Sequence, residues 1–206
     1  MSTGTFITFE GIDGCGKSTQ LKMVKERLLK EGREFIEIRE PGGTVVGEKI
    51  REILLDKKND SMVPLAELLL YEAARAQITE EVIKPALEKG TIVICDRFFD
   101  SATAYQGYAR ELGFDLVDGL NKIATAGLKP DVTFLLDLSA EDALKRRITR
   151  GEAEDRLEAL GTSFQAKVRE GYLKAASIDD RIKVIDATRT PDQIFEDINS
   201  WLSKIL

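Results

Sequence analysis

The chain has 206 residues, of which 43% are hydrophobic and 32% charged, a balance typical of one compact globular domain. Its net charge of −6 argues against a general nucleic-acid surface, and its lack of histidine removes the most frequent general base and metal ligand. Any catalysis must therefore use carboxylates, lysine, arginine, backbone amides or a bound metal, which suits phosphoryl transfer.

The sequence also bears on where the protein works. No apolar run approaches the roughly 18–20 residues that cross a bilayer. The first residues lack the basic and apolar pattern of a signal peptide, and the two cysteines, Cys15 and Cys95, give no disulfide framework or metal cluster. We therefore expect a cytoplasmic protein without a membrane partner.

Short β-branched or aromatic runs alternate with longer helical patterns along the chain. The sequence predicts strands at residues 5–9, 34–38, 91–95, 132–138 and 182–185. It predicts helices at residues 17–31, 48–55, 64–88, 114–126, 140–150, 163–177 and 191–205. The third and fourth strands are almost continuously apolar, as in a parallel sheet covered on both faces. The pattern indicates a doubly wound α/β domain with its ligands at the carboxyl ends of the strands.

The clearest motif lies between the first strand and the first helix. It matches G-x-x-x-x-G-K-[ST], the phosphate loop of nucleotide-binding proteins, and is followed by Thr19. Its backbone amides and helix N-terminus favour phosphate, Lys17 would neutralise the phosphates, and Ser18 would hold Mg²⁺. The motif residues are Gly11, Ile12, Asp13, Gly14, Cys15, Gly16, Lys17 and Ser18. Cys15 is either a small filler or a thiol made reactive by the helix N-terminus.

A nucleotide site alone does not make an enzyme, so a GTPase-like switch is an alternative. Such switches typically read guanine with N-K-x-D, and here Asn121-Lys122 is followed by Ile123 and Ala124. D-x-x-G does not occur outside the phosphate loop. The sequence therefore disfavours a switch.

Arginines follow two of the predicted strands. Arg39 begins the segment Arg39-Glu40-Pro41-Gly42-Gly43-Thr44, and Asp96-Arg97 follows the third strand. A solvated turn would explain the first, and a surface ion pair the second. Because both lie where ligands bind in such sheets, the arginines are candidates for a second phosphate-bearing ligand, and Asp96 for a place near Mg²⁺.

The helix that begins at residue 64 has two different faces. Its apolar stripe is expected to face the core, and it consists of Leu65, Leu69, Ala73 and Ala76. Tyr71 and Arg75 lie roughly opposite, one turn apart. They could stack on a base and bond its edge, although a surface tyrosine–arginine pair explains the same pattern.

A third arginine group follows the helix at 140–150. Arg146 and Arg150 share a face, and a polar segment leads on to Arg156. Helix-end arginines often only complement the helix dipole. The apolar-poor segment 146–158 is also typical of a lid that brings arginines over a transferring phosphoryl group.

Several motifs in this order resemble the bacterial thymidylate kinase family. The resemblance covers nearly the whole chain. It rests on residues 9–19, which include the phosphate loop, and on five shorter segments. These are Arg39-Glu40-Pro41-Gly42-Gly43-Thr44, Ala73-Ala74-Arg75, Asp96-Arg97-Phe98, Ala104-Tyr105-Gln106-Gly107 and Ile185-Asp186-Ala187-Thr188.

The resemblance implies a P-loop NTPase fold in which helices flank a five-stranded parallel sheet on both faces. It implies a single domain over residues 1–206 with a lid at about 146–158, and a homodimer. The implied reaction, with ATP and Mg²⁺ as cofactors, phosphorylates dTMP to dTDP for dTTP biosynthesis by direct in-line transfer. Nucleic acid is not an expected partner.

The resemblance also implies roles for single residues around the acceptor. Asp13 would bond the deoxyribose 3′-hydroxyl, and Tyr105 would crowd the 2′ position. The remaining substrate residues are Arg39, Arg51 and Arg97 at the acceptor phosphate, Tyr71 stacked on thymine, Arg75 at O4, and Gln106 and Ser101 close to the base.

The implied catalytic residues are Lys17, Asp96, Arg97 and Arg150, with Ser18 and Asp96 at the metal and Arg146 stacked on adenine. Two departures from the family pattern bear on these roles. Ala102 stands where relatives commonly have Ser, Thr or Asn near thymine N3, so Ser101, Gln106 or a water would take over there. Gly14 stands where eukaryotic members have arginine, so the compensating cation would come from the lid, from Arg150 or Arg156.

Two other functions remain open from the sequence. One is a different P-loop kinase that acts on a nucleoside or another monophosphate. The other is a regulatory module that binds ATP without an acceptor, which leaves Arg39, Tyr71 and Arg75 unexplained.

Overall fold

Five parallel strands form the centre of the structure, a computed structural model that describes residues 4–151 and 154–206 and, for Arg150, the backbone. The strands are β1 (Phe6–Glu10), β2 (Phe35–Arg39), β3 (Ile92–Asp96), β4 (Val132–Asp137) and β5 (Ile182–Asp186). They pair in the order β2-β3-β1-β4-β5, and every pairing is parallel. The predicted doubly wound α/β fold is confirmed.

Helices connect the strands and cover the sheet. They are α1 (Lys17–Lys30), α2 (Val45–Leu55), α3 (Pro64–Ile78), α4 (Lys84–Glu88), α5 (Phe99–Ala102), α6 (Phe114–Ala124), α7 (Ala140–Arg150), α8 (Gly161–Ala176) and α9 (Pro191–Ile205). Within the described ranges, no helix is long and apolar enough to cross a membrane.

The three central strands carry the core. All five residues of β1 are buried, and Phe9 packs against Phe134 of β4. In the sheet register, Phe9 pairs with Asp96 on one side and with Phe134 on the other. This register brings the carboxyl end of β3 beside the loop that follows β1.

The predicted helix at 64–88 is divided in three. α3 ends at Ile78, a π-helical turn spans Thr79–Ile83, and α4 follows with Pro85 in its first turn. Proline donates no backbone hydrogen bond, and the wider turn before it accommodates that loss. Four short helical segments were not predicted: α5, the π-helical turn Thr103–Ala109 that continues it, and the 3-10 turns Lys57–Asn59 and Glu158–Leu160.

The predicted apolar stripe of α3 does not face the core. Leu65, Leu69 and Ala73 are exposed, whereas the buried face carries Glu67 and Arg75 among its residues. The prediction was wrong because it assigned charged residues to solvent, and here they are buried in ion pairs.

Candidate active site

The loop between β1 and α1 has the conformation that a phosphate site requires. Gly14 and Gly16 have φ values of 93° and 108°, in the left-handed region that glycine adopts without strain. A side chain at Gly14 would also place its Cβ 2.4 Å from the carbonyl oxygen of Ala143. No side chain of the described residues caps the start of α1, so its first amides are available to an anion.

Lys17 lies at the first position of α1 and points back across the loop. Its Nζ donates to the carbonyl oxygen of Gly11 at 2.8 Å and lies 3.6 Å from Oδ1 of Asp13. The side chain is 7% exposed, so its charged group lies beneath the loop and is largely shielded from solvent. This is the position from which an ammonium group can reach bound phosphates.

Arg97 occupies the turn directly after β3. Its backbone has φ 69°, which is uncommon for a residue other than glycine and marks a constrained site. Its Nη2 donates to Oδ1 of Asp13 at 2.7 Å, and its Nη1 donates to the hydroxyls of Tyr172 at 3.0 Å and Ser101 at 3.3 Å. The guanidinium also lies over the Tyr105 ring, 5.4 Å from its centre.

A buried carboxylate supports this turn from behind. Glu10 accepts hydrogen bonds from the backbone nitrogen of Phe98 at 2.7 Å, from Ser101 Oγ at 2.6 Å and from the Tyr172 hydroxyl at 2.8 Å. Burial, reinforced by Asp100, raises the pKa of Glu10 to about 7, although Arg97 opposes the change. Glu10 therefore fixes both the backbone after Arg97 and the hydroxyls that Arg97 contacts.

The charges around Asp13 keep its carboxylate ionised. Burial alone would raise the pKa of Asp13, but Arg97 and Lys17 outweigh burial and hold it well below its usual range. Asp13 therefore remains an acceptor throughout the physiological pH range. An ionised carboxylate in the phosphate loop can accept a hydrogen bond from a ligand hydroxyl.

Two side chains that can coordinate a divalent cation lie near the same loop. Asp96 ends β3 beside the phosphate loop, and its Oδ1 is enclosed without a hydrogen-bond partner in the described part of the chain. Ser18 lines the same cleft with an exposed side chain. A hydroxyl and a carboxylate oxygen are ligands that Mg²⁺ prefers, so this pair fits that ion. Among the described residues, no group of three or more His, Cys, Asp or Glu side chains is placed to hold a metal ion by itself.

Two arginines lie across the cleft from the loop. Arg39 donates to the carbonyl oxygen of Pro41 at 2.8 Å and to Glu48 at 2.9 Å, and Arg51 donates to the same Pro41 oxygen at 3.0 Å. Burial and the neighbouring Arg39 lower the pKa of Arg51 from its usual value. Two cations held on one carbonyl make a site for a doubly charged anion.

All these groups meet in one cleft of about 220 Å³. The cleft is lined by the phosphate loop, by the carboxyl ends of β2 and β3, and by α2, α3 and the helical segment after β3. The candidate residues on its wall are Asp13, Gly14, Gly16, Lys17, Ser18, Thr19, Arg39, Arg51, Tyr71, Asp96, Arg97, Ser101, Tyr105 and Gln106. A phosphate loop and a second set of anion-binding cations therefore share one space.

Comparison with known proteins agrees with this site. The family profile described as thymidylate kinase matches residues 9–198. The chain belongs to the thymidylate kinase family. A thymidylate kinase of Caldanaerobacter subterraneus subsp. tengcongensis is 54% identical over 184 residues, which cover 89% of this chain and 87% of that protein. The thymidylate kinase of Thermoanaerobacter pseudethanolicus is 52% identical over 204 residues, which cover 98% of this chain and 99% of that protein.

One residue expected at the base, Arg75, lies outside the cleft in this thymidylate kinase family member. Arg75 is 1% exposed and is not among the residues on the cleft wall. It pairs with Glu40 at 2.9 Å and with Glu72, and it donates to the Asn121 side chain at 3.2 Å. The structure therefore places Arg75 within an ion-pair network behind the pocket.

The other residues expected around the base and the sugar do lie on the cleft wall. Tyr71 is half-buried there, and burial together with the charge of Glu67 raises the pKa of its hydroxyl, which keeps it neutral. Tyr105 is buried, and its hydroxyl has no hydrogen-bond partner in the described ranges. Ala102 lines the same cleft and offers no polar side-chain atom.

The predicted adenine residue borders a different opening. Arg146 donates to the carbonyl oxygen of Ala187 at 2.9 Å and, at 3.5 Å, to that of Cys15. The opening also involves Thr19 and Pro191, so it lies beyond the start of α1. Arg146 thus lies on the outer side of the phosphate loop, away from the acceptor arginines.

The lid candidates have different positions. The side chain of Arg150 lies outside the described residues, as do residues 152–153. Arg156 is buried, where its Nε donates to the carbonyl oxygen of Leu54 at 2.7 Å and its Nη2 lies 2.7 Å from Glu67. Arg156 is therefore turned toward the protein interior in this structure.

Sequence reasoning missed two charged residues of the site. Glu10 is the last residue of β1, where an acidic residue directly before the phosphate loop was the available signal. Arg147 is buried, pairs with Glu158 at 2.9 Å, and lies 3.1 Å from where a Gly14 side chain would begin. Arg147 follows Arg146 directly in the sequence, and the sequence alone does not show which of two consecutive arginines faces which opening.

The position of Cys15 favours the unreactive interpretation. The side chain is fully buried, and burial raises the pKa of its thiol despite the nearby Lys17. A protonated, enclosed thiol is a poor nucleophile. Cys15 therefore acts as a small filler beneath the phosphate loop.

Proposed function

We propose that this protein transfers the γ-phosphoryl group of ATP to dTMP, which yields ADP and dTDP. Membership of the thymidylate kinase family supports this reaction, and the relatives named above carry it in their names. The observation that carries the proposal is that the phosphate loop and a separate arginine pair face one cleft. That arrangement lets two nucleotides meet with their phosphates together.

The phosphate loop is proposed to hold ATP. Backbone amides at the start of α1 would receive the β- and γ-phosphates, and Lys17 would neutralise them from below. Arg146 would then stack on the adenine at the outer opening. Cys15 and Ile12 contribute backbone to this loop and not side-chain chemistry, since both are buried.

The opposite side of the cleft is proposed to hold dTMP. Arg39, Arg51 and Arg97 would surround its phosphate, and Asp13 would accept a hydrogen bond from the 3′-hydroxyl. Tyr71 would stack on the base, while Tyr105 would crowd the 2′ position.

The chain's residues accelerate transfer by positioning and charge. A phosphate monoester is already ionised at neutral pH, so the acceptor needs no general base, which agrees with a site built without histidine. Arg97 lies between the loop and the acceptor arginines, where it would stabilise negative charge on the transferring group. Glu10 keeps Arg97 in that position.

Mg²⁺ is proposed to be held by Ser18 and Asp96. When bound, the ion would neutralise phosphate charge and orient the two nucleotides. Asp96 is suited to this role because its Oδ1 is otherwise unsatisfied among the described residues.

We further propose that residues 146–158 act as a lid within a single domain of residues 1–206. Arg150 would supply the additional cation that Gly14 does not provide. Replacement of Arg150 by methionine should then lower kcat with little change in the KM for dTMP. An equal loss for Arg150→Met and for the exposed control Lys145→Met would contradict this role.

A homodimer is proposed on the basis of the exposed face of α3. Leu65 and Leu69 lie one turn apart and are 46% and 48% exposed, and Ile123 on the neighbouring α6 is 77% exposed. Exposed apolar groups of this kind mark an interaction surface. Sedimentation equilibrium should give twice the chain mass, and Leu69→Glu should give the monomer.

The buried, unpaired cysteines agree with the expected cytoplasmic location.

The function is tested by ADP release with Mg-ATP and a panel of acceptors: dTMP, dUMP, TMP, dCMP, dGMP, dAMP, AMP and thymidine. High turnover with dTMP, less with dUMP and little with the others is the expected result. Preference for another acceptor would indicate a different P-loop kinase. ATP binding without acceptor-dependent ADP release would indicate a regulatory module.

A further inference from the structure

Glu67 is a completely buried carboxylate in α3, one turn before Tyr71. Its Oε1 accepts hydrogen bonds from Nε2 of Gln106 at 2.8 Å and from Nε of Arg110 at 3.3 Å. Its Oε2 accepts one from Arg110 at 3.0 Å and lies 2.7 Å from Nη2 of Arg156. With two guanidinium groups against it, the carboxylate carries a negative charge that these partners balance.

This contact determines which way the Gln106 amide faces. A carboxylate accepts hydrogen bonds and cannot donate them, so the amide group turned toward Glu67 must be the NH₂. The amide oxygen of Gln106 then points the other way. Gln106 lines the cleft with 1% of its surface exposed, and its Oε1 accepts no hydrogen bond from a described residue. The cleft therefore presents a fixed acceptor at this point.

Other polar groups near Ala102 are already committed. The hydroxyl of Ser101 donates to Glu10 at 2.6 Å, and Arg75 is buried in its own ion pairs. Ala102 itself has no polar side-chain atom. The hydroxyl of Tyr105 has no partner among the described residues, but it is proposed to face the sugar, so Gln106 is the side chain proposed to accept from the base.

We propose that Glu67 is a specificity-determining positioning residue, which holds the Gln106 oxygen toward the acceptor base and so selects a pyrimidine with N–H at N3. This inference rests on the proposed function. Thymine and uracil carry that N–H and can donate to Oε1. Cytosine has an unprotonated N3, so two lone pairs would face each other and the base is disfavoured.

Replacing Glu67 by glutamine tests the inference. Arg110 and Arg156 can only donate, and their shorter contacts, at 3.0 and 2.7 Å, are to Oε2, whereas Oε1 has one at 3.3 Å from Arg110. We therefore expect the new amide oxygen at the position of Oε2. The new NH₂ group will then face Gln106, whose amide must turn over to accept from it. The cleft would present NH₂ to the base, which suits cytosine.

We expect the ratio of kcat/KM for dTMP to kcat/KM for dCMP to fall at least about tenfold in Glu67→Gln, the scale of one mismatched hydrogen bond. The ratio for dTMP to dUMP should stay within about twofold, since uracil has the same N3–H. Arg110→Met is the matched control, because it removes another partner of Glu67 but leaves the contact with Gln106. It should keep the wild-type dTMP-to-dCMP ratio.

Gln106→Leu provides a second variant if Glu67→Gln does not fold. It removes the acceptor and should also lower the dTMP-to-dCMP ratio. An equal loss of kcat/KM for all three acceptors in Glu67→Gln, or an unchanged ratio in both variants, would overturn the inference. Wild-type protein without turnover of dTMP would instead reject the proposed function itself.

Discussion

The Asp13 carboxylate and the Arg97 guanidinium are joined at 2.7 Å, so an ion pair links the phosphate loop to the turn after β3. The Nζ atom of Lys17 lies 3.6 Å from the same oxygen of this carboxylate. The three charged groups thus form one unit at the meeting point of the two proposed nucleotides. Its geometry depends on each member.

Asp13→Asn should lower kcat/KM for dTMP by at least about tenfold, because it removes the charge that holds Arg97 and weakens the acceptor for the 3′-hydroxyl. The KM for ATP should change less, since the backbone of the loop is unaltered. Steady-state kinetics with each substrate varied will check this. The exposed Asp118→Asn is the control and should behave like wild type.

Lys17→Met should lower kcat by about 10²-fold or more, the usual scale for one lost charge-stabilising group. The side chain has no other role that would explain such a loss, as its contacts are with the loop itself. Lys22→Met, on an exposed part of α1, provides the comparison. Near-normal turnover of folded Lys17→Met would remove Lys17 from the mechanism.

The raised pKa of Glu10 predicts how the free energy of unfolding changes with pH. Its pKa is about 7 in the folded protein against an ordinary value of 4.5, so between these values the folded state keeps a proton that the unfolded state has released. The resulting stabilisation is complete below pH 4.5 and is lost as the pH rises to 7. The free energy of unfolding of wild type relative to Glu10→Gln should therefore fall by roughly 3 kcal/mol over this range.

Urea unfolding of both proteins at several pH values between 4.5 and 8 measures this difference. Glu40, whose pKa burial also raises to about 7, is present in both proteins, but the charge of Glu10 adds to its shift, so its titration cancels only in part. A difference that does not vary with pH would show that Glu10 does not titrate in this window.

Substitution of Arg75 should lower stability, whereas substitution of Arg39 should weaken substrate binding. Arg75→Met leaves Glu40 and Glu72 buried without their cation, which should cost about 3–5 kcal/mol of the free energy of unfolding. Arg39 is 46% exposed, so Arg39→Met should change stability by less than about 1 kcal/mol while it raises the KM for dTMP. Equal loss of stability in the two variants would contradict these assignments.

The fold could be predicted because local patterns dominate it. β3 and β4 are buried on both faces and have the almost continuous apolar composition of such strands, and the phosphate loop has a motif of fixed spacing. The segment at 99–109 could not be predicted in the same way. Its residues pack largely against α8, so its helical form depends on distant parts of the chain.

The candidate site could be predicted at residues whose role follows from a local sequence motif. Lys17, Arg39 and Arg97 lie on the cleft as the motifs indicated. Glu67 and Arg75 could not be placed, because a charged residue on a helix normally indicates solvent and only its partners show otherwise. Those partners are far away in the sequence, as with Arg75 and Glu40.

The central claim is tested most directly by ³¹P NMR of the purified protein with Mg-ATP and dTMP. The account predicts that dTMP and ATP disappear together and that dTDP and ADP appear in equal amounts, with far slower change in Lys17→Met. ADP and inorganic phosphate without dTDP, or no dTMP-dependent change in folded wild-type protein, would contradict it.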